Sequence, residues 1–320
     1  MSKRPPPPVR KWLNAPPAKG FPRVRERLAQ CLRQGRANIA TCGAHAMVAR
    51  MNTMPRHTKI VLALLAFLPL YFAVAALGTK FGIWGWQLGL MTLTFFGGMI
   101  VLAVTALAAL VSLIIAVRAK PRRNGPLAAA IIGLLVPGAA LALFMAAGSK
   151  AGDNPIHDIA TDTGNPPTFS EATMAAREKA GANPLSDYQT PLGQLEFYGD
   201  RVPPELAVKS HAQIITARSD RPAPLPLGGA SKAEGVAAVA AAMGAMGFSP
   251  VTTNVDAGTV EGVAETFWFG FKDDVVARVG EQQIDFRSVS RVGMSDLGAN
   301  TARIIELRSR TEALLGSASR

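Results

Sequence analysis

Long uncharged and strongly apolar stretches dominate the first half of the chain, at residues 60–79, 81–117 and 124–149. A bilayer core of about 30 Å needs roughly 20 helical residues, so the first and third stretches each predict one membrane span. The middle stretch is too long for one span, and its opening, FGIWGW, is typical of an interfacial loop with Trp84 and Trp86 at the headgroup level. We therefore predict a membrane region at residues 59–150, with spans at about 60–78, 88–117 and 126–148.

The predicted spans contain no Asp, Glu, Lys, Arg or His. Proton relays and ion pathways normally need ionisable groups inside the membrane, so this composition favours an anchor or assembly unit over a transporter. Pro69 and Pro137 lie near the middle of the first and third spans, where proline kinks a helix.

The basic residues that flank the spans predict their orientation. Four of them lie at positions 118–123, between the second and third spans, whereas the preceding connection carries only Lys80. Basic loops stay on the cytoplasmic side, so we expect a multi-pass inner-membrane protein with a cytoplasmic amino terminus and residues 151–320 in the periplasm. A cleavable signal peptide beginning at Met54 is the alternative interpretation of the first span, and it leaves this domain on the same side.

The net charge of +12 is distributed unevenly. Residues 1–150 hold 19 Lys and Arg and a single acid, whereas residues 151–320 hold 15 Lys and Arg against 21 Asp and Glu. The excess of basic residues accompanies the membrane spans, where it reports orientation. We therefore expect the lipid bilayer, and no nucleic acid, among the partners.

The amino-terminal segment, residues 1–58, is rich in Pro and Arg and has no apolar period, which predicts disorder. Translation from a later methionine is an alternative explanation, with candidate starts at Met47, Met51 and Met54. Both cysteines, Cys31 and Cys42, lie in this segment, so the exported domain has no disulfide or thiolate metal site. That domain has two histidines, which argues against a zinc centre of the common type. We predict neither metal nor cofactor.

One helix of the domain is predicted by its end signals. In SKAEGVAAVAAAMGAMGF, Ser231 and Glu234 have the spacing of a capping box, and an apolar stripe follows at helical spacing. Gly247 supplies a left-handed stop. We therefore predict a helix over 232–246.

Four strand-like segments follow this helix, FSPVTTNV, TVEGVAETFWFGF, DVVARV and QIDFRSVSRV. Turns between them are expected at Gly258, at the Lys-Asp-Asp of 272–274 and at Gly280. A second amphipathic helix ends the chain, with an apolar face at Ile304, Leu307, Thr311 and Leu314 and a water-facing side at Arg303, Glu306 and Arg310. The pattern predicts an α+β domain at residues 151–320, in which two helices cover one face of an antiparallel sheet.

Polar residues in the last strand alternate between the two faces of the sheet. Ser288 and Ser290 share the helix side with the apolar residues, and small side chains there let a helix approach. Arg287 and Arg291 point to the other side, where they either pair with acids such as Asp273 or Asp274 or bind an anion.

The connection that follows, VGMSDLGAN, leads into the last helix. Ser295 or Asp296 can cap that helix, with Asn300 and Arg303 in its first turn. The same unpaired N–H groups could instead cradle an anion, although a carboxylate at position 296 favours the cap.

An earlier polar segment, PIHDIATDTGNPPTF, contains His157, Asp158 and Asp162. These side chains could hold a hard cation or orient a base, or they could belong to an extended polar connection. No Gly-x-Ser-x-Gly elbow occurs in the chain, and neither histidine has a context that ties it to a serine. We therefore predict no catalytic residue. An envelope hydrolase or transferase that uses His157, Asp158 and Asp162 with the 290–300 loop is the alternative.

Three segments, PIHDIATDTGNPPTF, WFGFKDDVVARV and DFRSVSRVGMSDLGANTARI, together resemble the bacterial and plastid family of domains of unknown function 1499, over roughly residues 153–316. The resemblance implies an envelope-facing, often membrane-tethered module whose activity is not established. Some relatives carry cysteines in the first segment, where this chain has Ile156-His157-Asp158.

These observations favour a membrane protein that presents a non-catalytic binding or scaffold domain to an envelope component. That component would be a protein, an anionic lipid or a glycan. The face with Arg287, Arg291 and Asn300 is the expected binding surface.

Overall fold

The computed structural model describes residues 54–318. The predicted disorder of the amino-terminal segment falls mainly on residues 1–53, outside the described residues, as do Cys31, Cys42 and the candidate starts at Met47 and Met51.

Three long apolar helices open the described part of the chain, in the three regions where spans were predicted. They are α1 (Arg56–Lys80), α2 (Gln87–Arg118) and α3 (Asn124–Asp153), each long and apolar enough to cross a membrane. The first eleven residues of α2, Gln87–Gly97, have π-helical hydrogen bonding. The Trp-containing segment between α1 and α2 is the connection that the sequence predicted.

The described residues form two compact units. The smaller contains residues 54–66 and Thr105–Leu135, and within it the His57 ring lies 2.7 Å from the Ser112 hydroxyl. The larger contains the remaining parts of the three helices and all of the carboxyl-terminal domain.

The domain contains five α-helices and six strands among its described residues. The helices are α4 (Glu171–Lys179), α5 (Pro204–Ala207), α6 (His211–Thr216), α7 (Lys232–Ala245) and α8 (Ala299–Ala318). The strands are β1 (Asp158–Ala160), β2 (Leu225–Pro226), β3 (Val251–Asn254), β4 (Thr259–Glu265), β5 (Lys272–Val279) and β6 (Gln283–Ser290). They form one antiparallel sheet in the order β1-β6-β5-β4-β3, with β2 also paired to β6.

One face of the sheet is apolar and carries α7 and α8, as predicted. The end signals of α7 are present: Ser231 and Glu234 form a capping box, and Gly247 has a φ of +79°. Side chains such as Met243 and Leu307 are fully buried against the strands. Burial of this apolar surface is the main force that holds the helices to the sheet.

The opposite face of the sheet carries charged residues, and it is also covered. Every residue of β6 after Gln283 is buried, because the connection formed by residues 161–190, including α4, passes over this side. The sheet therefore separates an apolar layer from an ionic one.

The turn predicted at 272–274 is wrong, because these residues begin strand β5. Asp273 and Asp274 are 6 % and 1 % exposed, and they pair with Ser290 and Val289 of β6. The turn between β4 and β5 is formed instead by the aromatic residues 266–271.

The last helix also differs in part from the prediction. Ile304, Leu307 and Thr311 are buried as expected, but Leu314 is exposed. Arg303 does not face water, because its guanidinium is bound to residues of the sheet and of its own helix.

Candidate functional site

The ionic layer is centred on a buried pair between Asp158 of β1 and Arg287 of β6. The Asp158 carboxylate accepts two hydrogen bonds from Arg287, from Nε at 2.9 Å and from Nη2 at 2.7 Å. It also accepts bonds from the Tyr188 hydroxyl and the Ser186 backbone N–H. Arg287 donates in addition to the Pro167 carbonyl. This bidentate geometry is the strongest form of such a pair.

The environment fixes the charge state of this pair. Burial alone would raise the pKa of Asp158, but the Arg287 charge and hydrogen bonds outweigh it and hold the pKa below its ordinary value. The pKa of Arg287 is raised, because the attraction of Asp158 outweighs burial. Both groups are therefore charged at neutral pH.

A second buried carboxylate, Asp274, binds two arginines. Arg291 donates to it from Nε at 2.9 Å and from Nη2 at 2.6 Å, and Arg177 of α4 donates from Nη1 at 2.5 Å. Arg177 also binds the Asn183 carbonyl. The predicted pairing of Arg291 with an acid of the neighbouring strand is thus present. The guanidinium groups of both strand arginines, Arg287 and Arg291, face carboxylates of the protein.

A polar cluster on the helix side of the sheet joins α8 to β5 and β6. The Asn300 amide oxygen accepts from the Ser288 hydroxyl at 2.6 Å and from Arg303, and its nitrogen donates to the Ser290 hydroxyl at 3.0 Å. Arg303 also donates to Asp273 at 2.6 Å. The serines therefore do more than leave space for the helix, because each takes part in this network.

The start of α8 has the predicted cap. The Asp296 carboxylate accepts from the backbone N–H groups of Gly298 and Asn300, each at 2.8 Å. The Ser295 hydroxyl accepts from the Leu297 N–H at 3.1 Å. Burial raises the pKa of Asp296, although these backbone bonds oppose the shift.

The segment PIHDIATDTGNPPTF lies beside β6 and α8. β1 pairs with β6, and the Asn300 side chain donates to the His157 carbonyl at 2.8 Å. The polar side chains of these segments have partners of their own. Asp162 closes a turn and pairs with Arg278 at 3.0 Å, Asp296 caps α8, and the His157 ring binds Tyr198 and the Pro184 carbonyl. The alternative enzyme stays a prediction.

The two histidines of the domain are joined through a tyrosine that the sequence did not single out. The Tyr198 hydroxyl lies 2.8 Å from His157 Nδ1 and 3.2 Å from His211 Nε2, and His157 Nε2 lies 3.1 Å from the Pro184 carbonyl. A carbonyl can only accept, so His157 carries its proton on Nε2 and accepts from Tyr198 at Nδ1. Tyr198 then accepts from His211. Because burial lowers the pKa of both histidines, each ring is neutral at pH 7 and held in one tautomer.

The pKa values agree with this assignment. Burial lowers the pKa of His157 below 6.5, although Asp158 nearby acts in the opposite direction. Burial also lowers the pKa of His211 to about 4. The pKa of Tyr198 is raised, mainly by burial. Both nitrogens of His157 are used in hydrogen bonds within the protein, so this ring is a structural polar group and not a free base.

A cavity of about 430 Å³ lies next to this chain of hydrogen bonds. His157 and Tyr198 form part of its wall, leucine and proline side chains form much of the rest, and Arg201 and Glu196 are exposed in its lining. The Arg201 guanidinium lies 5.0 Å from the centre of the Phe197 ring, and no carboxylate among residues 54–318 forms an ion pair with it. An apolar cavity with a few polar groups is the usual form of a small-molecule site.

Several residues of this region were missed by the sequence analysis. Tyr198 and Arg201 lie in a stretch with weak periodicity, and Tyr198 bonds to histidines 41 and 13 residues away along the chain. No local spacing connects them. The fact that His157 and His211 are the only histidines of the domain was the one available signal.

Within residues 54–318, no group of three or more His, Cys, Asp and Glu side chains is placed to hold a metal ion. The acids that sequence analysis singled out each have an arginine partner or a capping role.

Comparison with known proteins identifies the domain. Residues 158–310, from the first strand into the last helix, match the family model described as Protein of unknown function (DUF1499). No curated protein and no solved structure gives a match to the chain. The family match covers the strands, the ionic layer and the cavity described above. The carboxyl-terminal domain therefore matches the DUF1499 family over residues 158–310.

Proposed function

We propose that this chain is a multi-pass protein of the bacterial inner membrane, whose carboxyl-terminal domain faces the periplasm and binds an envelope component without catalysing a reaction. The basic connection at residues 118–123 supports this orientation, because basic loops remain cytoplasmic and α3 then leads outwards.

The binding site that we propose is the cavity beside His157 and Tyr198. The surface with Arg287, Arg291 and Asn300 that the sequence favoured is not a single face, because Asn300 lies on the helix side of the sheet and the two arginines lie on the other side. All three side chains bind partners within the protein, so this prediction is replaced by the cavity. In the cavity, by contrast, Arg201 has no carboxylate partner among the described residues. This unpaired guanidinium beside an apolar wall is the observation that carries the proposal.

The chemistry of the cavity favours a ligand with an anionic group joined to an apolar part. Arg201 would bind a phosphate or carboxylate, and Phe197 and the leucines would contact the apolar part. Two envelope sources have this chemistry, an anionic phospholipid and a phosphorylated glycan precursor carrying a lipid tail.

Binding to the purified full chain in detergent micelles tests the proposal. Phosphatidylglycerol is titrated and counted by native mass spectrometry, and undecaprenyl phosphate is titrated in a parallel series. Arg201→Gln should weaken binding of the true ligand about tenfold, as expected when one charge-assisted hydrogen bond is lost. Arg221→Gln, another exposed arginine outside the cavity lining, is the matched control and should bind normally. Equal binding by both variants for both lipids would refute the cavity as the site.

A further inference from the structure

The turn between β4 and β5 carries an aromatic cluster that is unusual for a water-soluble hairpin. Phe267 and Trp268 are 72 % and 54 % exposed, and Phe269 and Phe271 stack with their ring centres 5.1 Å apart. Exposed apolar groups of this size usually mark a binding or membrane surface. We call residues 266–271 the aromatic tip.

The aromatic tip lies against the end of α1. The Lys80 ammonium donates to the Phe267 carbonyl at 2.8 Å, lies 5.1 Å from the centre of the Phe267 ring, and is 3.6 Å from Glu265. Gly270 has a φ of +66°, and a Cβ there would lie 3.2 Å from Lys80 Cα. A glycine is therefore suited to this close approach of two backbones.

The aromatic tip also lies along the part of α1 that precedes Lys80. A cavity of about 320 Å³ is lined by Trp268 and Phe269 together with Pro69 and Phe72 of α1 and Thr94 of α2. Pro69 is eleven residues from Lys80, which is about 16 Å along a helix axis. The lining also includes Ala76, four residues from Lys80, so the cavity extends from about 6 Å to about 16 Å from Lys80 along the helix axis. If Lys80 marks the headgroup level, the deep end of this cavity lies in the hydrocarbon region.

This cavity offers water few polar partners. Its lining is almost entirely apolar, and the Thr94 hydroxyl donates to the Gly89 carbonyl at 2.8 Å. A nearly apolar space beside two long apolar helices is suited to the acyl chains that would surround those helices in a bilayer.

We propose that the aromatic tip is inserted into the bilayer leaflet on the side of Lys80, and that the cavity beside Trp268 accepts an acyl chain of a membrane phospholipid. The tip thereby fixes the β-sheet to the membrane at a second point, in addition to the covalent link through α3. The inference requires neither the ligand nor the compartment that we proposed for the domain.

Fluorescence of Trp268 in the full chain tests the inference. Trp12, Trp84 and Trp86 are replaced by phenylalanine, and the protein is reconstituted into vesicles of phosphatidylcholine with or without bromine on the acyl chains. Bromine quenches tryptophan only at contact, so Trp268 should lose much of its emission in the brominated vesicles and resist aqueous iodide.

The matched control carries its tryptophan at the other end of the sheet. Val255, which is 48 % exposed in the β3–β4 turn, is changed to tryptophan in a variant that also has Trp268→Phe. This reporter should be quenched by iodide and not by bromine. A Trp268 that behaves like the Val255→Trp reporter would overturn the proposal.

A second probe gives a result that does not depend on the tryptophan substitutions, in case those variants misfold. Cys31 and Cys42 are changed to serine, and Phe267→Cys is labelled with a nitroxide in a chain that keeps all four tryptophans. Insertion predicts greater collision with oxygen than with a water-soluble nickel chelate. The reverse order would also overturn the proposal.

Discussion

Replacement of Arg287 by alanine tests whether the ionic layer stabilises the domain. The Arg287 side chain is 5 % exposed and its partner Asp158 is fully buried. The variant leaves a buried carboxylate with bonds only from Tyr188 and Ser186. Removal of one partner of a buried pair costs about 3 to 5 kcal/mol, which is a large part of the 5 to 15 kcal/mol that stabilises a typical domain.

The free energy of unfolding is measured on the full chain in detergent micelles, by pulse proteolysis across a urea series. Arg310→Ala is the control, because Arg310 forms an exposed pair with Glu306 on the same helix as Asn300 and should lose only about 0.5 kcal/mol. A loss for Arg287→Ala no larger than that of the control would contradict the role of the pair.

The pH dependence of this loss separates the charge effect from lost packing. In the wild type the pKa of Asp158 lies below its unfolded value, so its stabilising contribution is present above the unfolded pKa and disappears as the pH falls through the folded pKa. Without Arg287, burial places that pKa above the unfolded value. The difference between variant and wild type should therefore be largest at pH 7 and shrink towards pH 4. A constant difference would mean that only packing was lost.

Three further predictions use the same unfolding assay. The pKa of His211 is about 4 in the fold and 6.5 when unperturbed, so its neutral form stabilises the fold above pH 6.5 and this contribution falls as the pH decreases towards 4. His211→Gln should therefore remove about 2 kcal/mol of the stability change between pH 7 and pH 5. An unchanged dependence of the unfolding free energy on pH would contradict this. Asn300→Leu should cost about 3 kcal/mol because several buried partners lose their hydrogen bonds, whereas the exposed Asn165→Leu should be nearly neutral. Gly258→Ala should lower the free energy of unfolding more than Gly181→Ala. Both positions have a positive φ, which costs alanine about 1 kcal/mol, but only at Gly258 would the new Cβ contact a backbone oxygen, that of Val279 at 2.3 Å. Equal losses of stability in the two variants would refute this reasoning.

Features that depend on neighbouring residues were predictable from the sequence. The predicted bounds of α7 agree with the structure to within one residue. Ser231 and Glu234 act on the first turn of this helix and Gly247 on its end, so each signal is local. The three long apolar helices were also predicted, but their ends lie up to five residues beyond the predicted bounds. The cap at Asp296 is likewise a local signal, and the structure contains it.

Features that depend on the partner across the sheet were not predictable in the same way. The Lys-Asp-Asp of 272–274 has the composition of a turn, but Asp273 and Asp274 are used as buried acceptors for arginines. Arg303 was placed in water by helical spacing alone, which does not reveal that Asp273 of β5 lies within its reach. The true turn is aromatic, a composition that turn statistics from water-exposed hairpins do not favour.

The partner of Arg287 could not be identified either. Asp158 lies 129 residues earlier in the chain, and only the pairing of β1 with β6 brings the two together. Arg177 lies before residue 205 in a stretch with weak periodicity, and no feature of the sequence predicted that it would bind Asp274 together with Arg291. Long-range pairs of this kind follow from the topology of the sheet and not from local spacing.

The topology of the chain in the membrane is the most direct test of the proposed arrangement. In a chain with Cys31 and Cys42 changed to serine, single cysteines are placed at Arg122 in the basic connection and at Val255 in the domain, and both are exposed to a membrane-impermeant maleimide. We predict that Val255→Cys is labelled once the outer membrane is permeable, and that Arg122→Cys is labelled only after the inner membrane is broken. Labelling in the opposite order, or at both positions together, would contradict the proposed arrangement.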